Sequence, residues 1–528
     1  MQYFSRNYGD TRGRANFLGR FTGDPMADFV LGWADTTRRQ LDGSGPYHLV
    51  SNYSAFVQDD FKVTPSLTLN LGLRYDVMKP PKEKSGAWAV FLPSLGKVVT
   101  AGTGNLSQSE FDQRISSVGL APYVVKASSV GLPATITQTD WTNFAPRFGF
   151  AWRPFGTAKT VLRGGYGIFY GTSSLYRLDN YTDTYPFTIT ETYSRVTTDP
   201  TALTLSNPFP ASRRGFSGVN GSYAEQTATP KTQYNQSWSL AVEREFGHGT
   251  VVEAAFAGSK GTHLPRRYDV NQAGRDASNR ALRPYPFFGG IEMISDGSNS
   301  IYNSGQLTLR RRFSKHLFVR STYTFAKSID ETSNTGGSIT YNFGLAQDSR
   351  NLKLERGRSD FDIGHTFAGS FIWSPKFSRR LLAKDWQVSG TSTISTGPPF
   401  TPRVANFSYV NGEASRPDRI RTGALDSRSA ERWFDRTAFI PVPLGAYRFG
   451  NSGRNILDGP GAIIINTSIS RRFRFGESRS VQLRVESFNL PNHPNFNLPE
   501  NNVDISTAGA ISRAKNNRNL QMGLRFEF

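Results

Sequence analysis

The feature that most limits this chain's fold is a repeated alternation of apolar and polar residues, in runs joined by connections that are short and long in turn. In "SLTLNLGLRYDV" (Ser66–Val77), Leu67, Leu69, Leu71, Leu73, Tyr75 and Val77 share one face, while Thr68, Asn70, Gly72, Arg74 and Asp76 share the other. "SVQLRVESF" sets Val481, Leu483 and Val485 against Gln482, Arg484 and Glu486. "SKHLFVRSTYTFAKS" sets Leu317, Val319, Tyr323 and Phe325 against Arg320, Thr322 and Thr324. A period of two is the signature of a β-strand. The pattern predicts strands over 47–61, 67–79, 143–154, 161–171, 236–246, 249–260, 305–313, 317–328, 362–374, 385–396, 462–474, 480–489 and 519–528. A partial strand near 14–21 and a short helix near 25–33 complete the reading.

These runs reach or exceed the roughly 9–11 residues of a tilted membrane-spanning strand and outrun the usual soluble strand of about 5–6. Short turns fall at 64–66, 155–160, 247–249, 314–316 and 476–480, with 375–384 somewhat longer. Between them lie long segments rich in Gly, Pro, Ser, Asn and Asp: 80–142, 172–235, 261–304, 329–361, 397–461 and 490–518. Loops of that length count against a compact soluble domain. An outer-membrane barrel has short periplasmic turns and long outer loops. In hydrocarbon every backbone N–H and C=O must be paired, so a sheet has to close on itself, with apolar residues toward lipid and polar ones inside. The expected fold is therefore all-β: a transmembrane antiparallel up-and-down β-barrel with long extracellular loops, residues 1–528 forming one barrel domain. The alternative is a soluble antiparallel sheet, apolar toward its own core. Strand alternation alone does not separate the two, whereas strand length and loop rhythm favour the barrel.

The last ten residues, "NLQMGLRFEF", sharpen the point. Leu520, Met522, Leu524, Phe526 and Phe528 alternate with Gln521, Gly523, Arg525 and Glu527 up to the final residue. Termini ordinarily fray and are polar. This strand follows a long loop, so it runs inward and leaves the C-terminus in the periplasm.

Composition narrows the function. No apolar run approaches the ~18 residues of a membrane helix. Cysteine is absent, which excludes disulfides and thiolate metal sites. Lys and Arg number 62 against 42 Asp and Glu, a net charge of +20. Such an excess serves nucleic acid, an anionic membrane surface or anionic solutes. The cations are spread along the chain without a basic tail or helix, which argues against nucleic acid. "MQYFSRNYGDTRGRANF" has no apolar core after a basic start and is not a secretory signal. Either the protein stays in the cytoplasm or this is a piece of a longer chain.

Candidate sites follow from the two faces. "RGGYGIFYG" lacks the GxGxxG spacing of a nucleotide loop, and glycines in a strand mark close backbone approach. The six histidines have no metal-ligand spacing, and no nucleophile motif occurs. No catalytic site, metal or cofactor is therefore expected. Asp360 and Asp362 are expected on one face at the start of a strand. Trp141, Trp152, Phe155, Phe313, Trp373, Phe377, Trp386 and Phe475 cluster near strand ends, where barrels carry aromatic girdles. Arg74, Asp76, Arg320, Arg484, Glu486 and Arg525 are expected to face the lumen. Arg266, Arg267, Arg275, Arg280, Arg283, Arg416, Arg419 and Arg421 are expected in extracellular loops. Three readings stand for them: binding lipopolysaccharide phosphates, attracting anionic solutes, or simple solvation.

"YSAFVQDDFKVTPSLTLNLGLRYD" (Tyr53–Asp76) resembles the strand–turn–strand signature of TonB-dependent outer-membrane receptors. "NFAPRFGFAWRPFG", "VLRGGYGIFYG", "YNQSWSLAVEREF", "STYTFAKSIDE" and "ESFNLPNHPNF" resemble the Oar-like branch of that family. "LQMGLRFEF" resembles the C-terminal signal read by the barrel-assembly machinery. The resemblance implies a 22-stranded barrel with a plugged lumen, of which about 14 strands are represented here. The N-terminal strands, plug, TonB-contacting segment, signal peptide and carboxypeptidase-regulatory-like β-sandwich of that family have no counterpart. A C-terminal portion of a larger receptor is the expectation, an independent smaller barrel the alternative. The implied function is uptake or surface handling of a large solute at the outer membrane, energised through TonB where the plug is present. Two other readings stand beside it: a non-transporting surface adhesion protein, and a soluble β-rich glycan binder. The loops carry no recognisable ligand motif.

Overall fold

The computed structural model describes residues 2–5, 13–19, 21–40, 47–117, 119–157, 159–171, 181, 185–188, 190–195, 199–210, 221–222, 229–275, 281–314, 316–333, 345–375, 385–404, 415–443, 448–476, 479–515 and 517–528. Its centre is a large antiparallel sheet in which thirteen strands follow one another in chain order, with two short strands beside that path. They are β1 (Asn52–Thr64), β2 (Leu67–Met78), β3 (Phe144–Trp152), β4 (Thr160–Tyr170), β5 (Tyr234–Glu245), β6 (Thr250–Asp269) and β7 (Ile291–Ser314). β8 (Leu317–Asp330), β9 (His365–Trp373), β10 (Trp386–Ser395), β11 (Ala462–Phe475), β12 (Arg479–Phe488) and β13 (Asn519–Glu527) complete the path. Each strand pairs with its sequence neighbours in an up-and-down meander, and among the described residues the path ends at β1 and β13.

Cross-strand register keeps the apolar row continuous. Leu71 lies opposite Phe148, Phe148 opposite Tyr166, and Tyr166 opposite Trp238. Val242 meets Ala254, which meets Leu307 and then Tyr323. Val485 is flanked by Ile469 and Met522. Leu71, Phe148, Leu240, Leu307 and Leu520 are all exposed. Among the described residues no second layer covers this face, as a soluble sandwich would require; it is the lipid-facing surface. Among the described residues no helix is long and apolar enough to cross a membrane.

The boundaries correct several expectations. Tyr47–Val50 belongs to a separate small sheet with Gln2–Ser5 and Lys82–Glu83, so the first barrel strand begins at Asn52. Arg14–Asn16 pairs with Thr36–Gln40 in another small sheet, apart from the barrel path. The helix is present as α1 (Pro25–Leu31), capped by the Asp24 carboxylate and closed by Gly32 in the left-handed region. The expected loop 261–304 is largely strand, because β6 and β7 run 20 and 24 residues. At ~3.3 Å per residue that hairpin rises well beyond the bilayer. Asp360 and Asp362 precede β9 and lie in the connection leading to it.

The buried apolar clusters lie outside the bilayer. The segment after β2 folds into a sheet of Ala89–Leu92, Lys97–Thr100 and Val124–Lys126 with helix α2 (Gln108–Ser117). Ser107 and Glu110 exchange hydrogen bonds across the start of α2, a capping box. Phe91, Phe111 and Leu120 from this unit pack with Tyr268, Ile291 and Met293 on the projecting β6–β7 hairpin. A second cluster joins Phe400, Phe434, Phe439 and Leu457 to Val503 from the last long connection. Together these connections form an ordered outer crown.

Candidate functional site

Two surfaces carry polar chemistry: the face of the sheet opposite lipid, and the crown above it. On the inner wall the alternation that sends Val242 outward sends Glu243 inward. Arg163 of β4 bonds Glu243 at 3.2 Å and also pairs with Glu253 of β6, while Arg310 of β7 reaches Glu243 at 2.6 Å. Arg310 lies opposite Arg320, which is exposed. Arg74 pairs with Asp76 at 2.8 Å, Arg484 with Glu486 at 2.6 Å, and Arg525 with Glu527 at 3.2 Å. Asn70 donates to Asp60 at 2.6 Å. All six candidates thus share the polar face, but they lie along it from β2 to β13 and do not converge on one point. The Arg163–Glu243–Glu253–Arg310 group went unrecognised in the sequence, although "AVEREF" places Glu243 and Glu245 in the polar phase.

Glycines on the lipid-facing row let the rings beside them pack closely. A Cβ at Gly164 would collide with the Phe150 ring and one at Gly258 with the Trp238 indole. "RGGYGIFYG" is accordingly strand β4, with its glycines at close contacts.

In the crown the structure revises most of the loop arginines. Arg266 and Arg267 lie on β6, where Arg266 pairs with Glu331 at 3.4 Å and Arg267 with Glu292. Arg275 is in a short strand, Gly274–Arg275, against Ala281–Leu282, and Arg280 lies outside the described residues. Arg283 donates to the Asn271 carbonyl at 2.6 Å. Arg416 is only 5% exposed and donates to Glu355 at 2.7 Å, so it is a structural cation within the crown. Among the members whose exposure is described, Arg419 and Arg421 are the exposed ones. Arg454 binds Asp330 at the top of β8 and also donates to the carbonyls of Glu355 and Asp330. It ties two long connections to the barrel rim.

Titration in the crown follows these contacts. The Arg448 guanidinium, 2.8 Å and 2.5 Å from the two Asp418 oxygens, holds that carboxyl below the ordinary range. The Thr437 hydroxyl does the same to Asp435, with smaller help from Arg421 and Arg432. Burial pushes the Tyr185 hydroxyl up to about 12. Among the described residues no group of His, Asp or Glu is placed to hold a metal ion.

Exposed aromatic residues sit near strand ends, including Trp152, Phe155, Phe313, Trp373 and Phe475. Trp386 opens β10, Trp141 lies in the connection before β3, and Phe377 is outside the described residues.

An apolar outer row bounded by rings, a polar opposite wall, short turns on one side and an ordered crown on the other define a β-barrel of the bacterial outer membrane. Residues 1–521 match the family described as outer membrane beta barrel domain, and the chain belongs to that family. A comparison with curated proteins finds no match. Similar solved structures include the outer membrane transporter YddB from Escherichia coli, with 11% identity and a TM-score of 0.46. A variant of the ferric enterobactin receptor PfeA from Pseudomonas aeruginosa has 12% identity and 0.46. The siderophore receptor PirA from Acinetobacter baumannii has 10% identity and 0.42. Each alignment covers 93% of this chain but 50%, 50% and 51% of the other, so the chain spans about half the length of these structures.

Proposed function

We propose that this chain is the barrel wall of a TonB-dependent receptor of the Oar-like branch, which captures a large solute at its crown and passes it along the polar wall to the periplasm. The observation that carries this reading is the polar face running from β1 to β13 beneath an ordered crown. Arg74, Asp76, Arg320, Arg484, Glu486 and Arg525 line the path as alternating donors and acceptors. The Arg484–Glu486 and Arg525–Glu527 pairs are open to water and individually weak, which suits passage better than retention. Energy enters through TonB acting on a plug within the lumen. Arg419 and Arg421, exposed at the crown, meet lipopolysaccharide phosphates or an anionic solute. The row Leu520, Met522, Leu524, Phe526 and Phe528 is read by the barrel-assembly machinery as the strand enters the membrane.

The test is accumulation of solutes too large for porins by cells expressing the protein, with and without TonB. Accumulation that requires both supports the reading. Attachment of those cells to other cells or matrix, unchanged by TonB and without accumulation, replaces transport with surface adhesion.

A further inference from the structure

Three inward-running strands end in the same short pattern: Arg244-Glu-Phe246, Arg311-Arg-Phe313 and Arg471-Arg-Phe473. The arginines stand one, three and four residues before the last residues of β5, β7 and β11, at the end of the sheet with short turns. Register puts all three on the lipid-facing row. Arg244 lies opposite Thr160 and Val252, Arg311 opposite Thr250 and Val319, and Arg471 opposite Trp386 and Leu483. The intervening residues, such as Arg310 and Glu243, point to the polar wall and pair there.

A guanidinium on this row requires a reason. At mid-bilayer it would be strongly destabilising, and only near an interface does the cost become small. Each of these three is backed by a ring. Arg244 stands 5.7 Å from the centre of Phe246, Arg311 4.3 Å from that of Phe313, and Arg471 4.2 Å from Phe473 and 5.5 Å from Trp386. Ring contact of this kind stabilises the cation without using its N–H donors. Among the described residues no carboxylate pairs with Arg244 or Arg311, and the buried Arg311 Nε has no hydrogen-bond partner. Arg471 is only 7% exposed and is held within the sheet, whereas Arg244 and Arg311 offer positive charge, forked donors and an aromatic floor on the lipid-facing row near the short turns.

We propose that the Arg244 and Arg311 corners bind anionic glycerophospholipid of the periplasmic leaflet, each guanidinium taking the headgroup phosphodiester while the ring lies against the glycerol and upper acyl chain. Guanidinium forks match phosphate oxygens geometrically. Phosphatidylglycerol is preferred over phosphatidylethanolamine, whose ammonium offsets the attraction. A basic side chain at a membrane surface favours anionic lipid by about fivefold in association constant.

The experiment uses the full chain in vesicles containing acyl-chain spin-labelled phosphatidylglycerol or phosphatidylethanolamine. Electron spin resonance reads the relative association constant of each lipid with the protein wall. The expected result is about fivefold preference for phosphatidylglycerol at each corner. It falls toward unity in Arg244→Gln/Arg311→Gln and is retained in Arg312→Gln, whose side chain faces inward at the same turn. Equal association of the two lipids with the unaltered chain overturns the proposal. So does a preference that survives the double substitution, or one lost equally in Arg312→Gln. Should the double variant not insert, salt supplies the second measurement on the unaltered chain. Raising ionic strength from about 0.1 M to 1 M shortens the screening length from ~10 Å to ~3 Å. The preference must then shrink, and one that does not shrink also overturns the proposal.

Discussion

Arg416 offers a direct contest between a ligand-binding and a structural role. Its guanidinium is buried and donates to Glu355 at 2.7 Å, its amide donates to the Gln347 side chain at 2.7 Å, and the Gln347 amide donates to Glu355 at 2.9 Å. Gln347 also reaches the Gly450 carbonyl at 2.9 Å, so four points on two long connections meet in one network. Arg416→Met preserves the length of the stem and removes the charge. Glu355 is then left as a buried carboxylate with one backbone donor. Removing one partner of a buried pair costs about 3–5 kcal/mol. Taking the low end, because the Gln347 amide remains, the crown's opening equilibrium rises on the order of a hundredfold.

Hydrogen exchange is the assay. The amides of Gln347 and Arg416 should exchange on the order of a hundredfold faster, at the ~3 kcal/mol level, while the β5–β6 ladder is unchanged. The double variant Arg416→Met/Glu355→Leu should recover most of the protection, since apolar replacement of a whole buried pair is often neutral. Unchanged exchange in the single variant would refute the reasoning. So would a double variant no better protected than the single one. Loss of solute binding with full crown protection would return Arg416 to the ligand-binding readings that the sequence left open beside simple solvation.

Three further outcomes follow. Phe528 is 99% exposed and holds no folded contact of note, so Phe528→Ser should lower the amount of protein assembled in the outer membrane while the thermal midpoint of the assembled fraction stays within about 2 °C; heat-modifiability on gels measures both. Gly258→Ala should displace the Trp238 indole from its seat and destabilise by about 1–3 kcal/mol, seen as a changed tryptophan emission maximum and a lower unfolding midpoint. Asp418 and Asp435 titrate below the ordinary carboxylate range when folded, so their contribution is present above that range and lost as pH falls through the depressed folded values; the protection of amides in 415–443 relative to the unfolded chain at the same pH should fall in acid, and Asp418→Asn should blunt that response.

The strands were legible because the membrane writes period two into them. Where lipid meets one face and water the other, as in β2, β8 and β12, each position is forced to be apolar or polar. The same logic explains the failure over 261–304. Beyond the bilayer neither face of β6 and β7 meets lipid, so "GSNSIYNSG" carries no alternation and looks like a loop, although its backbone ladder continues. Arg416 was misread for a different reason. Its burial depends on Glu355, 61 residues away, and nothing within its own Gly- and Pro-rich neighbourhood signals that partner. The Arg163–Glu243 contact spans 80 residues, yet each member was visible in phase, so the face was legible and the pairing was not.

Where the apolar side chains go separates this molecule into two parts held by different forces. Barrel strands point their apolar row at lipid, which is as apolar as the side chains themselves, so burial there gives little net attraction between strands. The wall depends instead on its backbone ladder, which has no competing water partner in hydrocarbon. The crown stands in water and is ordered by ordinary hydrophobic burial around Phe91, Ile291 and Met293 and around Phe400 and Phe439. Denaturants weaken hydrophobic burial in water directly but reach backbone bonds within a bilayer poorly. The crown should therefore melt first in urea, with loss of near-ultraviolet signal from its aromatic clusters while strand content persists. A single concerted transition would show that the projecting β6–β7 hairpin couples the two parts more strongly than their separate solvents imply.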